Sequence, residues 1–552
     1  MRRRATRLAG GVTLVTAFAV ALSGCVASER DADGGEGGGS GGDGTFVFAG
    51  SAEPSSLDPA FASDGETFRV ARQMFEGLVG VEPGTADPAP LLAESWDVSE
   101  DGLEYTFHLK EGVKFHDDTD FNAEAVCFNF DRWHDWTGLA AHENLSYYYK
   151  VVFGGTGDDS LYASCAASDD ATAVVTLKEP IPELVPALSL PSFAMQSPEA
   201  LEQFGADEVE GTSDAPQLTE YGNEHPVGTG PYEFKEWKSG ESVTLTANDT
   251  YWGEIADVKT IVFTVIADGT ARRQALEAGD IDGYDLVAPA DVDALKEGGY
   301  TILDRDAFNI LYLGMNQAQK PLDDIKVRQA IAHAIDKDGL VQAALPEGTE
   351  PATQFVPEIV TGFSEDVQNY EYDPEKAKAL LKEAGQENLE IEFNYPTEVS
   401  RPYMPDAAAI FEAISADLEE VGITSKATPE PWSPTYIDTI QGGEKHGLHL
   451  LGWTGDYNDT YNFVGTFFGA QSLEWGFDDP EVFQAIKDAR NAPLEEQEAA
   501  YMNANEVIME SLPGVPLASP VPSLVVAPGV EGYPISPVQD EVYNVITLGE
   551  GE

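Results

Sequence analysis

Leu91-Leu92-Ala93-Glu94-Ser95-Trp96-Asp97-Val98-Ser99 runs on to Tyr105-Thr106-Phe107-His108-Leu109 and then directly to Lys110-Glu111-Gly112-Val113-Lys114-Phe115-His116-Asp117. Tyr105, Phe107 and Leu109 alternate with polar neighbours, Gly112 follows, and Val113 and Phe115 alternate again. That pattern predicts strand, turn and strand. Outward from this block, strands and helices alternate along the chain with no internal repeat. Thr45-Phe46-Val47-Phe48-Ala49 predicts a strand that enters a turn at Gly50-Ser51-Ala52-Glu53-Pro54. Residues 68–78 have helical spacing, and 204–225 form a long polar, acidic loop. Gly228-Thr229-Gly230-Pro231 opens a new strand; a lone Gly-x-Gly without a following helix is no nucleotide site. Strands follow at 243–246 and 260–266, then a helix over 271–278 closed by Gly279.

The second half repeats this logic and adds chemistry. Residues 309–316 read as a buried strand, followed by a helix capped by Asp323 or Asp324. Asp373, Pro374 and Gly385 mark the cap, first position and stop of another helix. A strand over 389–395 delivers Arg401-Pro402-Tyr403-Met404-Pro405-Asp406-Ala407, with a helix over 407–418 behind it. A strand over 449–453 ends in Gly452-Trp453-Thr454-Gly455-Asp456-Tyr457-Asn458-Asp459. Arg401 and Asp456 therefore both stand at strand exits, where loops on a rigid scaffold commonly bind ligands. A free peptide is a zwitterion. A guanidinium can grip its carboxylate bidentately, and an aspartate can accept hydrogen bonds from its ammonium.

The 91–117 block resembles the extracytoplasmic solute-binding family 5 of bacterial ABC importers. The Arg401-Pro402-Tyr403 and Trp453-Thr454-Gly455-Asp456 elements resemble the dipeptide-binding branch of that family. The resemblance spans nearly all of 45–548. It implies that Arg401 takes the ligand carboxylate and Asp456 the amino group, with Tyr403, Trp432, Trp453 and Ser51 lining the pocket. It also implies an α/β, periplasmic-binding-protein-like fold of class II, cluster C: a three-lobe Venus flytrap with mixed sheets and a hinge. The expected lobes are 45–79 with 228–306 and 527–552, then 80–227, then 307–526, the last carrying the gripping residues. Two departures touch the loop beside the site. Asp459 is followed by Thr460 rather than Pro, and Phe468-Gly469-Ala470 lacks a cysteine that some dipeptide binders carry there.

The first residues say where such a chain works. Arg2, Arg3, Arg4 and Arg7 precede an apolar stretch over 8–22, closed by Leu22-Ser23-Gly24-Cys25. The apolar stretch is short for a membrane span and reads as an export signal over 1–24. Its end resembles the bacterial lipobox, which implies lipidation at Cys25. Residues 25–44, mostly small and acidic, then form a flexible tether. The expected location is the outer face of the cell membrane. Cys127 and Cys165 remain as an even pair in an exported chain, which points to a disulfide.

The chain has 552 residues and a formal charge of −66, which opposes nucleic acid and anionic lipid surfaces. Nothing calls for a cofactor or a metal. His446 and His449 are close in sequence, but a strand would put them on opposite faces. No nucleophile–base motif suggests an enzyme. The expected partners are dipeptides or short peptides, an ABC permease with its ATPase, and the membrane through the N-terminal lipid, around a monomer. Longer oligopeptides, nickel complexes or oligosaccharides stand as alternative ligands, a surface peptide sensor as an alternative role, and an extracellular hydrolase as an alternative class.

Overall fold

The computed structural model describes residues 44–549 apart from 214, 218, 444 and 445. Cys25, the export signal and nearly all of the tether lie outside the described residues. Three larger sheets organise the rest. The seven-stranded sheet has the order Tyr232–Lys238, Ser242–Ala247, Thr260–Val265, Thr45–Gly50, Gly283–Asp285, Ser523–Val526, Thr301–Asp304. Its strands come from three separate stretches of chain. Along Thr45–Gly50, Phe46 and Phe48 enter one apolar core while Val47 and Ala49 enter another, so both faces of the sheet are covered. Ser523–Val526, expected at the end of the third lobe, pairs here instead, antiparallel to Gly283–Asp285 and Thr301–Asp304.

The four-stranded sheet, ordered Ala93–Val98, Glu104–Leu109, Thr172–Leu177, Tyr162–Asp169, holds the alternating block quoted first. Tyr105, Phe107 and Leu109 point into its core. Val113 and Phe115 are buried too, but they form no strand; only an isolated bridge joins Lys114 to Asp120. Their alternation records burial in a turn. Phe61, Phe68 and Leu78, expected in the first lobe, also pack into this core. The 68–78 helix is in fact Gly65–Met74, started by Asp64, whose side chain accepts from the Thr67 N–H. Within the 204–225 loop, Glu210–Thr212 pairs with Ala215–Gln217, and Glu220–Glu224 is helical. Cys127 and Cys165 are disulfide-bonded, with Cα atoms 5.1 Å apart, joining the helix Ala123–Asp135 to the strand Tyr162–Asp169.

The six-stranded sheet has the order Glu350–Pro351, Gly514–Ser519, Asn309–Met315, Leu448–Thr454, Leu389–Thr397, Ile423–Pro431. Asn309–Met315 is buried along its whole length, as an apolar run covered on both faces should be. Asp406 caps the helix Ala407–Glu420, accepting from the N–H groups of Ala408 and Ala409. The helix buries Ala407, Ile410, Ile414 and Leu418 at helical spacing. His446 precedes the strand Leu448–Thr454, so the strand argument for opposite faces fails. The two imidazoles meet edge to face, centroids 4.8 Å apart. The His449 ring covers Gly314, where any Cβ would collide with it.

Among the described residues, two connections join the six- and seven-stranded sheets directly, the ones between Asp304 and Asn309 and between Ser519 and Ser523. They are tied together. Arg305 N–H donates to Pro522 O at 3.0 Å, Asn309 Nδ2 donates to Pro520 O at 3.0 Å, and Ser523 Oγ donates to Asp304 Oδ1 at 2.6 Å. The Arg305 guanidinium grips Glu541 through two bonds of 2.6 and 2.8 Å and reaches Asp285 at 2.7 Å. Burial alone would raise Asp285, but Arg305 and Arg69 outweigh it and hold the carboxyl well below the usual range. Among the described residues, no helix is long and apolar enough to cross a membrane.

Candidate functional site

The strand pairing explains how distant segments meet. Leu389–Thr397 runs parallel to both Ile423–Pro431 and Leu448–Thr454. Their carboxyl ends therefore open on the same edge of the sheet. The first exit leads to Arg401, the second to Trp432, and the third carries Trp453 and Asp456. A cavity of about 1100 Å³ lies at this edge, and all four residues line it together with Tyr403. Across from them it is lined by Ser51, Glu66, Arg69, Arg72 and Asp285 from the seven-stranded-sheet side, and by Tyr148 from the helix Tyr147–Phe153. All six side chains singled out in the sequence thus border one space.

Arg401 sits in a tight turn closed by two backbone bonds with Met404, 3.1 and 2.9 Å long. Its guanidinium carbon lies 4.3 Å from the Trp432 ring centroid, a cation–π contact that orients the charge. Its Nε is buried without a hydrogen-bond partner, and among the described residues Arg401 forms no ion pair. Glu398, three residues earlier, holds a positive φ of 61°. Of the five non-glycine residues with positive φ among those described, Leu286, Glu398 and Gln539 line this cavity. Such strain persists where surrounding structure enforces it, often around ligands.

Asp456 is held by three bonds. Tyr148 Oη donates to Oδ1 at 2.6 Å, Asn462 Nδ2 donates to Oδ2 at 3.0 Å, and the Asp456 N–H donates to Asn462 Oδ1 at 2.9 Å. Asn462 Oδ1 also accepts from Trp453 Nε1 at 3.2 Å, fixing that indole. Burial pushes the Asp456 carboxyl up; the bonds from Asn462 and Tyr148 and the charge of Arg72 offset this only in part. No cation pairs with it among the described residues. A positively charged ligand group would supply what it lacks.

The glycines of the Trp-Thr-Gly-Asp region make room. A Cβ on Gly452 would fall inside the Tyr403 ring and against Ile310 O, and one on Gly455 would strike Phe308 and Phe463. Tyr403 is pressed on Gly452, and burial pushes its hydroxyl up to about 12, with Arg401 pulling down and Glu474 pushing up. Ser51 borders the cavity with its donors already engaged: both its N–H and its Oγ donate to Glu66 Oε1, at 2.8 and 2.7 Å.

Tyr148, Asn462 and Glu474 were not legible beforehand. Asn462 had a faint signal, six residues after Asp456 in the helix capped by Asp459. Tyr148 is one of three consecutive tyrosines from a distant segment, and nothing local points to Asp456. Away from the cavity, Glu220, Glu224 and His225 bring ligating atoms within 4.8 Å of one another at an exposed helix end, with no second feature pointing to an ion.

Residues 87–474 match the family described as bacterial extracellular solute-binding proteins, family 5. The dipeptide-binding protein of Escherichia coli K12 is 32% identical over 525 residues, covering 91% of this chain and 94% of that protein. The Helicobacter pylori periplasmic binding protein DppA, solved with the peptide STSA, superposes with a TM-score of 0.76 at 28% identity, covering 93% of this chain and 99% of that one. The Pseudoalteromonas dipeptide-binding protein solved with Met-Leu gives 0.75 at 27% identity, covering 91% and 100%. These neighbours share the α/β architecture of class II periplasmic binding proteins.

Proposed function

Because the chain belongs to family 5 of the bacterial extracellular solute-binding proteins, we propose that it captures dipeptides or short peptides outside the cytoplasm and delivers them to the permease of an ABC importer. The observation that carries this reading is the pair Arg401 and Asp456. They are opposite charges at parallel strand exits, in one cavity, and neither forms an ion pair among the described residues. Arg401 takes the peptide carboxylate and Asp456 its ammonium. Tyr403, Trp432 and Trp453 supply flat walls that tolerate different side chains, and Ser51, held by Glu66, lines the opposite wall. The names of the Escherichia coli relative and of the peptide-bound neighbours support this choice over sugars or metal complexes. Lipidation of Cys25 tethers the protein to the outer face of the membrane.

The three sheets mark three lobes. The seven-stranded lobe takes in 45–50, 232–304 and 523–549, the four-stranded lobe lies between, and the six-stranded lobe carries the clamp. Closure about the two tied connections buries the ligand and presents a distinct shape to the permease.

The clamp is tested by isothermal titration with alanyl-phenylalanine, its N-acetyl form and its C-terminal amide. Arg401→Ala and Asp456→Asn should each weaken the free dipeptide by roughly 2–5 kcal/mol, about 30- to several-thousand-fold. Acetylation should hurt wild type strongly and Asp456→Asn little; amidation should do the same for Arg401→Ala. If both capped peptides bind wild type as well as the free dipeptide, the zwitterion clamp is wrong.

A further inference from the structure

The cavity extends past the two charged residues. Beyond Tyr403 its lining continues through Phe467, Ser472 and Glu474 and reaches Tyr312, a residue only 1% exposed, so this part runs deep into the six-stranded lobe. Among the described residues its walls are aromatic and its anionic group is Glu474. That carboxylate is firmly placed. Oε1 accepts from Tyr312 Oη at 2.9 Å and faces His449 Nε2 at 3.1 Å, while the Glu474 N–H donates to Ser472 Oγ at 3.2 Å. Oε2 has no hydrogen-bond partner among the described residues.

No lysine or arginine neutralises Glu474 among those residues. Its one ion-pairing contact is His449, whose Nδ1 is buried without a partner. A neutral imidazole donating through Nε2 satisfies that geometry and leaves the carboxylate charge in place. A rigid anion at the end of an aromatic-walled pocket is suited to an ammonium or guanidinium, which gains both a charge-assisted hydrogen bond and ring contacts. Tyr403, within the Arg401 turn, lines the same cavity as Glu474. The pocket therefore adjoins the end of the ligand that Arg401 would hold.

We propose that Glu474 forms a subsite for a cationic side chain, lysine or arginine, on the C-terminal residue of the bound peptide. This rests on the peptide reading above. A purely structural Glu474, serving only to position Tyr312 and His449, would give no such selectivity.

The test compares alanyl-lysine, alanyl-(Nε-acetyl)lysine and alanyl-methionine by isothermal titration against wild type and Glu474→Gln. Wild type should bind alanyl-lysine about ten-fold or more tighter than its acetylated form, and Glu474→Gln should lose that margin. Alanyl-methionine should bind both proteins within about three-fold, which also shows that the variant is folded. If Glu474→Gln binds none of the peptides, the wild-type comparison of lysine with acetyl-lysine decides. Equal binding of those two, alongside normal binding of alanyl-methionine, overturns the subsite and leaves the peptide reading intact. Failure of wild type to bind any of the three overturns the peptide reading, and the subsite with it.

Discussion

Burial pushes the Asp456 carboxyl upward, and a ligand ammonium beside it would bring it back down. The sign of the resulting pH dependence follows. The ammonium binds the ionised form, so affinity is complete above the free-state pKa and is lost as pH falls through it. Because that pKa lies above the ordinary aspartate value of about 3.9, the loss should begin at a milder pH than an exposed aspartate would give. Titration of alanyl-phenylalanine between neutral and mildly acid pH should show the decline in wild type and not in Asp456→Asn. Tyr148→Phe removes the 2.6 Å bond to Oδ1 and should shift the decline to higher pH. A wild-type curve parallel to that of Asp456→Asn would remove Asp456 from the binding reaction. At this scale the charged residues were readable because a guanidinium and a carboxylate in distinctive local contexts announce themselves. Tyr148, Asn462 and Glu474 were not, since their importance lies in what they touch across 308, 6 and 162 residues of chain respectively.

At the scale of elements, the parallel strands depend on close packing behind the site. Gly452 lies mid-sheet between Leu311 on the neighbouring strand and the face of Tyr403. Gly452→Ala must displace Tyr403 or part the strands. It should cost about 1–3 kcal/mol in urea denaturation and weaken peptide binding at the same time, because Tyr403 belongs to the Arg401 turn. Unchanged stability and affinity would show that the close approach is dispensable. The disulfide acts on another element pair, the helix Ala123–Asp135 and the strand Tyr162–Asp169. It closes a loop with a sequence separation of 38, for which chain entropy gives roughly 3–4 kcal/mol. Cys127→Ser with Cys165→Ser should lower stability by about that amount with little effect on affinity, since neither residue lines the cavity. Peptide mapping without reduction that recovers both thiols free from exported protein would exclude the bond. Most helices and strands were legible from caps and alternation. Among the exceptions, Val113 and Phe115 alternate because burial in a turn also produces alternating apolar residues.

For the whole molecule, the two sheet-to-sheet connections form a compact joint around the buried Arg305 network. The four- and six-stranded lobes already touch: Arg490 pairs with Glu183, Asn458 Nδ2 donates to Asp87 Oδ1, and Tyr457 packs in the core of the four-stranded lobe. The tied connections, together with two polar contacts and one packed tyrosine between the other lobes, predict closure on ligand. Small-angle scattering should give a smaller radius of gyration with a bound dipeptide than without, and Arg401→Ala should lose the difference. An identical radius in both states would argue for a preformed, rigid site. What the sequence alone determined was local or signalled by motif: the α/β alternation, the capped helices, the family, and the charged residues at strand ends. The family was signalled by the resemblance of its motifs; the rest follows from periodicity, φ preferences and side-chain chemistry, all of which are properties of neighbouring residues. The tertiary structure alone decided which strand ends share an edge, that Ser523–Val526 crosses back into the seven-stranded sheet, and that Tyr148 and Glu474 reach the cavity. Those outcomes depend on parallel pairing and long-range packing, in which residues hundreds of positions apart become neighbours, and no local pattern encodes the partner.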